Sequence, residues 1–474
     1  MLDEKDMTIL EADYLIVGAG AGGLAFADTL LSESPTATMI IVDERARPGG
    51  HWVDAYDFVR THQPAALYGV NSTPLGADRV DTTGLNAGHG ELASAAEICA
   101  YYDDVMGRVL LASGRVSYFP SSCYDFAERT IARNGAVTQV RARKIVDSTY
   151  VAGEIPSRHT PAYRIAEGVR HGPVNALAHE QAQRYVIIGA GKTGMDACVH
   201  LLDRGVDPDA ITWIKPQDMW LYNRAHYQPA EHLLDQQLEG MAAQMEIAAS
   251  ASSADEVLIR LEEAGVLMRV DRGVFPTAYR CATITAAELE QVRRITNVVR
   301  LGRVRRIDPD RIVLADGEIA TSPHAFHVDC TAKAVAPKPI KPVFDGERIT
   351  LQFVRMCQPT FCAALIAVCE AHFDDDARKN RLCAVVPSPE RAVEWLSMSL
   401  QSAMNSFAWM QEPVIVQWLA RSRLNSTRGL MWPKEKLTPA QNAARARIRA
   451  ATPGAVANLS RLLAARNQET LATA

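Results

Sequence analysis

Two segments of the chain have glycines at the spacing that is typical of loops binding the phosphates of a dinucleotide. Residues 18–23 read GAGAGG and residues 189–194 read GAGKTG, and both fit the pattern G-x-G-x-x-G. The first glycine of this pattern allows a tight turn, the second lets a pyrophosphate approach the backbone, and the third lets a helix pack against a strand. The candidate phosphate-binding residues are Gly18, Gly20 and Gly23 in the first segment and Gly189, Gly191, Thr193 and Gly194 in the second.

Each glycine-rich segment lies between an apolar run and a helical pattern. Residues 14–18 are apolar, residues 24–31 favour a helix, and residues 38–42 form a second β-rich run. The same order returns at 185–189, up to about 202, and at 210–215. Strand–helix–strand units build parallel sheets covered by helices. The sequence therefore predicts an α/β fold with two Rossmann-like dinucleotide-binding domains.

The residues that follow the second strand of each unit suggest which dinucleotide it binds. Asp43 lies twenty residues after Gly23, where a carboxylate accepts hydrogen bonds from a ribose diol, and Glu44 is next to it. Residues 212–216, TWIKP, contain no carboxylate, which favours NADPH over NADH in the second unit. Lys215 and Arg224 are candidates for binding the 2′-phosphate, and an ordinary solvated cation is the alternative interpretation of both.

The segment after the first unit carries a resemblance to a known family. Residues 42–52, VDERARPGGHW, resemble the acid-then-Gly-Gly-x-Trp segment of flavin-containing and Baeyer-Villiger monooxygenases. In that family the first Rossmann motif binds FAD and the Gly-Gly-x-Trp turn lies along the flavin. The resemblance implies that FAD contacts Gly50 and Trp52 as well as the first glycine-rich segment and Asp43; a core aromatic is the alternative for Trp52.

One element of those monooxygenases is missing. Their linker signature, F-x-G-x-x-x-H-x-x-x-[WFY], is absent, although His171 lies at a comparable distance before Gly189. This departure bears on the oxygenation chemistry and not on the cofactors.

The disulfide reductases are a second class of flavoprotein with two dinucleotide-binding domains. The positions of the cysteines indicate whether this chain fits that class. Such an enzyme needs two cysteines beside the flavin. No cysteine lies between Gly50 and Cys99, and Cys198 is alone in the second unit. Cys357 and Cys362 are a weak candidate for a redox pair. We interpret most of the nine cysteines as reduced core residues.

The segment RTHQP at residues 60–64 supplies the candidate catalytic residues. It resembles the Thr-Asn-x-Pro element of flavin-containing monooxygenases, with Thr61 and Pro64 matching and His62 in the place of the flavin-facing Asn. A hydrogen-bond donor there could stabilise a flavin C4a-(hydro)peroxide. We therefore name His62 and Gln63 as catalytic candidates; a loop histidine bonded to backbone is the alternative for His62.

Two further candidates for cofactor binding follow the second unit. Residues 328–332, VDCTA, resemble the strand-ending element that returns to the FAD domain in relatives, which implies a role for Asp329. Gln358 precedes an apolar helical stretch whose N-terminus could face the polar edge of the flavin.

These patterns predict four regions. Residues 1–175 are the first part of an FAD-binding domain, and residues 176–310 are an NAD(P)H-binding domain with a helical insertion at about 229–265. Residues 311–388 return to the FAD domain, and residues 389–474 form a helical C-terminal region.

Composition and the pattern of apolar residues indicate the kind of partner and the compartment of the protein. The 474 residues are 48% hydrophobic with a net charge of −5, which does not indicate a nucleic-acid partner. The first twelve residues lack the pattern of a secretory signal, and no apolar run has membrane-spanning length, so we expect a cytoplasmic protein without membrane insertion. The cysteines and histidines do not indicate a metal site. Oligomeric state stays open, with a homodimer as one possibility.

The sequence thus predicts an FAD- and NAD(P)H-dependent oxidoreductase. The resemblance implies an NADPH- and O2-dependent monooxygenase acting on a small organic substrate. The alternative is an NAD(P)H-dependent flavin reductase or dehydrogenase that passes electrons to an acceptor other than oxygen. A non-catalytic flavoprotein is the remaining alternative from a different class.

Overall fold

The computed structural model describes residues 9–229, 231–335 and 338–473, with side chains up to residue 466. Within these ranges the chain forms eleven α-helices. They are α1 (Ala21–Glu33), α2 (Ala95–Asp104), α3 (Lys192–Asp203), α4 (Leu234–Ser250), α5 (Ala254–Glu263), α6 (Ala286–Arg293), α7 (Pro359–His372), α8 (Asp376–Leu382), α9 (Glu394–Trp409), α10 (Pro413–Arg421) and α11 (Pro439–Thr473).

The same residues form twenty β-strands. They are β1 (Ile9–Val17), β2 (Met39–Val42), β3 (Val116–Phe119), β4 (Cys123–Asp125), β5 (Thr130–Arg133), β6 (Ala136–Asp147), β7 (Arg164–Ile165), β8 (His171–Pro173), β9 (Arg184–Ile188), β10 (Ile211–Ile214), β11 (Met219–Asn223), β12 (Leu267–Met268), β13 (Ala278–Ile284), β14 (Val298–Val299), β15 (Val304–Ile307), β16 (Arg311–Leu314), β17 (Gly317–Ala320), β18 (Ala325–Asp329), β19 (Phe344–Asp345) and β20 (Arg348–Thr350).

The first sheet contains the first glycine-rich segment. Its strands follow the order β19-β20-β6-β1-β2-β3, and β1 runs parallel to both β2 and β6. The strands β4, β5 and β6 add antiparallel pairings to this sheet. Leu15 and Ile16, successive residues of β1, are both fully buried, as expected for a strand covered on both faces. Helix α1 packs against α7, which joins the early and late parts of the chain.

The second sheet contains the second glycine-rich segment and corrects one prediction. Its order is β14-β10-β9-β18-β8, and every pairing is parallel. Residues 328–332 are predicted to return to the first domain, but the strand that ends at Asp329 pairs with β9 and completes the second sheet instead. Residues 311–314, also assigned to the return, lie in a separate four-stranded sheet with β7, β15 and β17.

The chain returns to the first sheet later than the sequence suggested. Strand β20 pairs in parallel with β6, β19 pairs with β20, and α7 follows. Strands β19 and β20 and helix α7 lie inside the predicted range 311–388. Only the second half of that range belongs to the first sheet and its covering helix. The difference arises because a short apolar strand does not reveal which of two parallel sheets it joins.

The helical insertion and the helical C-terminal region agree with prediction. Helices α4 and α5 occupy the insertion, with the three-stranded sheet β12-β11-β13 beside them. Helix α11 packs along α4 and α9, and the shared apolar core includes Trp220, Leu258 and Trp395. Within the ranges that the structure describes, no helix has the length and apolarity needed to cross a membrane.

Candidate functional site

The first glycine-rich turn leaves no space for side chains at two of its glycines. Gly18 has φ +102°, and a Cβ there would lie 2.5 Å from Ser148 Oγ. A Cβ on Gly23 would lie 2.0 Å from the carbonyl oxygen of Gly18. The turn that joins β1 to α1 therefore requires glycine at both positions.

The predicted Gly-Gly-x-Trp turn packs directly on this first loop. The amide of Gly49 donates to the carbonyl of Ala19 at 2.9 Å. A Cβ on Gly50 would lie 2.9 Å from Gly20 Cα, whereas a Cβ on Gly20 would lie 3.4 Å from Gly50 Cα. Trp52 is buried, and its ring meets the ring of Tyr68 edge-on at 6.4 Å. The structure thus brings Gly20, Gly50 and Trp52 together at one end of the first sheet.

Asp43 and Glu44 have different environments. Asp43 is buried, and its carboxylate accepts hydrogen bonds from the amides of Ala19 at 2.6 Å and Arg45 at 2.8 Å. The Glu44 side chain is 58% exposed and lies 3.1 Å from Arg45 Nη1. Asp43 therefore touches the first glycine-rich turn, and Glu44 faces solvent.

The helices that follow both glycine-rich turns begin without a side-chain cap. Neither α1 nor α3 has a side-chain hydrogen bond at its N-cap or an acidic residue in its first turn. By contrast, α2 and α6 both have complete capping boxes. The free amides and positive potential at a helix N-terminus suit a phosphate group. A Cβ on Gly191 would meet nothing within 4 Å, so the second turn also opens onto free space.

The second glycine-rich turn repeats the geometry of the first. Gly189 has φ +136°, and a Cβ there would lie 2.4 Å from the carbonyl oxygen of Cys330. A Cβ on Gly194 would lie 2.4 Å from the carbonyl oxygen of Gly189, which also accepts a 2.8 Å hydrogen bond from Trp213 Nε1. Burial and the nearby Asp196 raise the pKa of Tyr56 from the first unit, and Thr193 in this turn opposes that shift.

Asp329 belongs to this second turn and not to the first unit. Its carboxylate accepts hydrogen bonds from the amide and the hydroxyl of Thr331 at 3.1 and 2.6 Å, and from Tyr163 at 3.3 Å. Asp147 binds Thr149 in the same way at 3.0 and 2.7 Å beside the first turn. Residues 146–149 read VDST and residues 328–331 read VDCT, a repeat that could have been recognised in the sequence.

Lys215 follows β10 as predicted, but it is not a free cation. The side chain is 2% exposed, and Nζ lies 2.5 Å from Asp218 Oδ1 and 4.6 Å from the centroid of the Trp213 ring. Burial lowers the pKa of Lys215, while Asp218 opposes that shift. Arg300 Nε binds the other carboxylate oxygen of Asp218 at 2.8 Å. Asp218 therefore competes with any 2′-phosphate for both cations.

This competition leads to a prediction about coenzyme preference. We expect Asp218→Asn to raise the ratio of kcat/KM for NADPH over NADH about ten-fold, since one charge-assisted contact becomes available to the 2′-phosphate. Lys215→Ala should lower the same ratio. Steady-state rates with both coenzymes measure the effect, and NADH serves as the internal control. An unchanged ratio in both variants would place the 2′-phosphate elsewhere.

A cleft of about 410 Å³ lies between the two dinucleotide-binding domains, the first and second units, beside the second glycine-rich turn. The cleft is lined by Arg60 and Thr61 from the first unit and by Lys192 and Asp196 from the second unit. The hydroxyl of Tyr56 donates to Asp196 Oδ2 at 2.7 Å, and the Phe58 ring stacks on His200 with centroids 3.8 Å apart. These contacts hold α3 against the segment that follows the Gly-Gly turn.

Arg224 lies at the wall of this cleft and not beside Lys215, contrary to the prediction that it binds a 2′-phosphate. Its side chain is fully buried. Nε donates to the carbonyl of His62 at 2.8 Å, Nη1 to Asn86 Oδ1 at 2.9 Å, and Nη2 to the carbonyl of Thr283 at 3.3 Å. Nη1 also lies 2.8 Å from Glu288 Oε2. Arg224 thus joins separate segments of both units.

Glu288 and Lys192 are members of the site that sequence reasoning did not single out. Burial opposes ionisation of Glu288, but Lys192 and Arg224 outweigh it and lower the pKa of the carboxyl. Lys192, inside the second glycine-rich segment, lies 3.8 Å from Glu288 and also pairs with Asp196. Thr285 and Glu288 form a T-x-x-E capping box, a sequence signal that identifies the acid but not its second partner.

His62 and Gln63 lie at this same junction. Removal from water, together with the nearby cations Lys192 and Arg224, lowers the pKa of His62 to about 3. Burial raises the pKa of the Tyr68 hydroxyl, and the backbone of His62 and Gln63 opposes that shift. His62 is therefore a neutral imidazole at physiological pH, held by its backbone and bearing one N–H donor.

Gln358 and Cys357 lie at the start of α7. Gln358 is buried at the N-cap position, and its Oε1 lies 3.4 Å from Ser426 Oγ. Cys357 forms a disulfide with Cys281, while the Cys362 thiol is buried with a raised pKa and accepts amide hydrogen bonds. The pairing of Cys357 with Cys362 considered above is therefore wrong. Seven of the nine cysteines are free thiols, as most were expected to be.

Comparison with known proteins supports this description. A family model for NAD(P)-binding Rossmann-like domains matches residues 16–71, the region of the first glycine-rich turn. The chain is 46% identical over 427 residues to the uncharacterized protein Rv2000 of Mycobacterium tuberculosis, an alignment that covers 90% of this chain and 79% of the relative. The chain belongs to the same family as this mycobacterial protein.

More distant similarities extend to flavoproteins. A probable FAD-binding monooxygenase, AlmA, from an Acinetobacter species is 32% identical over 97 residues, covering 20% of this chain and 17% of that protein. A flavin monooxygenase structure from Stenotrophomonas maltophilia has a TM-score of 0.45 at 16% identity, covering 77% of this chain and 100% of that chain. The predicted Rossmann-like α/β fold and the predicted resemblance to FAD-binding monooxygenases are confirmed.

Proposed function

We propose that this chain is an FAD-dependent monooxygenase that uses NADPH and O2 to oxygenate a small organic molecule. The proposal assigns FAD to the turn at Gly18–Gly23 and NADPH to the turn at Gly189–Gly194. The observation that carries it is the duplication: two glycine-rich turns have the same geometry, and each is followed by a helix without a side-chain cap at its N-terminus.

The residues at both turns fit these cofactors. The amides at the N-termini of α1 and α3 lack protein acceptors from side-chain caps, and pyrophosphates are suitable acceptors. Asp43 has the position of a ribose-binding carboxylate, and Gly50 and Trp52 line the same end of the sheet. The partial similarity to a probable FAD-binding monooxygenase supports FAD at the first turn.

FAD, when bound, supplies two-electron exchange with a nicotinamide and with dioxygen. The residues of this chain position the partners and control protons. Tyr56 and Asp196 hold the two units together, and Arg224 fixes the backbone of His62 at the cleft. His62 can donate one hydrogen bond without carrying charge. Its low pKa keeps it from acting as a cationic acid.

His62→Ala tests the role of that donor. We expect flavin content and reduction by NADPH to persist, while the fraction of NADPH coupled to product falls and hydrogen peroxide rises. A loss of about 2 to 4 kcal/mol in transition-state stabilisation is typical when one preorganised donor is removed. Because the pKa of His62 is about 3, below its ordinary value, the ring is neutral throughout the near-neutral range. The difference between wild type and variant should therefore stay constant between about pH 6 and about pH 9.

The control for this variant is His324→Ala, which changes an exposed histidine of the second unit. Peroxide release and product yield measured in both variants identify the site-specific effect. Unchanged coupling in His62→Ala would assign the residue to backbone structure alone and make Gln63 the next candidate.

An anaerobic titration tests the cofactor assignment. Purified protein with bound FAD is mixed with NADPH in the absence of oxygen, and the visible absorbance of the flavin is followed. We expect stoichiometric bleaching of the flavin band. Protein that retains FAD but is not bleached by NADPH or NADH would contradict the proposal and favour a non-catalytic flavoprotein. Bleaching followed by electron transfer to a quinone, with no oxygenated product, would favour the reductase alternative.

A further inference from the structure

The Cys281–Cys357 disulfide joins two parts of the molecule that are distant in sequence. Cys281 lies in β13 of the second unit, and Cys357 lies just before α7 of the first unit, 76 residues later. Their Cα atoms are 6.4 Å apart. Of the seven other cysteines six are buried, which makes this crosslink unlike the rest of the cysteines.

Both cysteines have a backbone conformation that side chains disfavour. Cys281 has φ +56° and Cys357 has φ +44°, in the left-handed region. The pairing of β13 with β11 also shifts register between Trp220 and Tyr222 of β11. Cys281 lies in the part of β13 that is opposite this shift. The crosslink therefore stabilises a local backbone geometry at both of its ends, and its loss would favour relaxation there.

The crosslinked cysteines are not fully enclosed by the core. Both cysteines are half-buried. Cys281 Sγ lies 4.0 Å from Met398 Sδ, and the surrounding apolar cluster includes Trp220 and Trp395. One side of the disulfide thus packs on the core, while part of each cysteine stays exposed to solvent.

The segments on both sides of the crosslink reach the proposed cofactor sites. Two residues after Cys281, the carbonyl of Thr283 accepts a hydrogen bond from Arg224, which holds His62. Residues 351–356 lead up to Cys357, and Leu351 Cδ1 would lie 3.7 Å from a Cβ on Gly22, in the first glycine-rich turn. The segment between β20 and α7 therefore connects the disulfide to the first dinucleotide site.

We propose that Cys281–Cys357 is a thiol-responsive switch that controls how tightly the first unit retains FAD. A dithiol reductant attacks the disulfide and becomes a cyclic disulfide, and the S–S bond of the protein takes up two electrons and two protons to give two thiols. Opening the crosslink releases the backbone at Cys281 and Cys357 and loosens residues 351–358 beside the first turn. FAD then dissociates more readily. The part concerning FAD rests on the proposed function, whereas the thiol chemistry and the loosening do not.

The thiol state is the first measurement. Full-length protein purified without reductant is alkylated and digested under non-reducing conditions. We expect a crosslinked peptide containing Cys281 and Cys357, which dithiothreitol converts into two separate peptides. Alkylation of both residues in native, unreduced protein would overturn the proposal.

The second measurement follows the consequences of reduction. With dithiothreitol we expect faster amide hydrogen exchange in residues 278–284 and 351–358, a fall in Tm of about 5 °C, and a rise of about ten-fold in the Kd for FAD. Cys281→Ser and Cys357→Ser should match the reduced wild type and show no response to dithiothreitol. Cys123→Ser, which removes an exposed free thiol, is the matched control and should behave as wild type.

These readouts separate the two proposals. Reduction that changes neither hydrogen exchange nor Tm would overturn the switch, because those measurements use the wild-type protein and need no cofactor. Reduction that changes exchange and Tm while the Kd for FAD stays constant would overturn the control of FAD retention. A chain that binds no FAD in either redox state would instead contradict the proposed function and leave the thiol measurements intact.

Discussion

The Gly191→Val protein is expected to fold, to retain its flavin and to lose at least about 100-fold in its rate of reduction by NADPH. The protein itself offers no steric obstacle, since a Cβ at residue 191 would meet nothing within 4 Å. The space in front of this residue is where a pyrophosphate must approach the N-terminus of α3, and a valine side chain would fill it. Rapid mixing with NADPH without oxygen measures the rate.

The control for this variant is Gly107→Val, whose Cβ also meets nothing within 4 Å but which lies in residues 105–110, away from both turns. It should be reduced at the wild-type rate. Gly20→Val should give the reverse phenotype, a protein that does not hold FAD. If Gly191→Val lost its flavin and Gly20→Val kept it, the two sites would have been assigned the wrong way round.

Replacing Arg224 by Met is expected to lower the free energy of unfolding by about 3 to 5 kcal/mol. The substitution removes a fully buried cation and leaves the partly buried carboxylate of Glu288 without one of its counterions. The Glu288 side chain is 16% exposed, so its carboxylate is only partly shielded from water. The substitution also leaves the carbonyls of His62 and Thr283 without their donor. Urea denaturation of wild type and variant measures the loss.

A double-mutant cycle separates this ion pair from packing. Arg224→Met combined with Glu288→Gln should destabilise the protein by less than the sum of the two single variants, because the double variant no longer buries an uncompensated carboxylate. A loss below about 1 kcal/mol for Arg224→Met would show that Arg224 is not the residue that joins the two units.

Local patterns in the sequence were sufficient for both Rossmann units. Each glycine-rich turn includes contacts within a few residues, such as the approach of Gly23 to Gly18 and of Gly194 to Gly189, although Ser148 and Cys330 also pack on Gly18 and Gly189 from distant segments. The helical insertion and the C-terminal helices also follow from local periodicity. These features were therefore predictable with their approximate boundaries.

Contacts between distant segments were not predictable in the same way. Residues 325–329 pair with β9 because of the tertiary arrangement, and their composition would have suited either parallel sheet. Arg224 and Glu288 are 64 residues apart, so neither residue type reveals the other as its partner. The disulfide similarly depends on the meeting of β13 with the segment before α7.

Lys215 is an intermediate case. Its partner Asp218 is only three residues away, so the ion pair could have been considered from the sequence. Its burial depends on the packing against Trp213 and on the second cation, Arg300, which sequence alone does not place. Spacing therefore indicated a possible partner, while the environment that decides the strength of the pair required the fold.

The incorporation of oxygen from dioxygen into an organic product tests the proposed function most directly. Protein with bound FAD is supplied with NADPH, isotopically labelled dioxygen and a panel of small ketones, sulfides and amines, and products are analysed by mass spectrometry. The account predicts that one labelled oxygen atom enters an organic product for each NADPH consumed under coupled conditions. Quantitative formation of hydrogen peroxide with every compound, or electron transfer to a quinone without oxygen incorporation, would contradict the monooxygenase assignment.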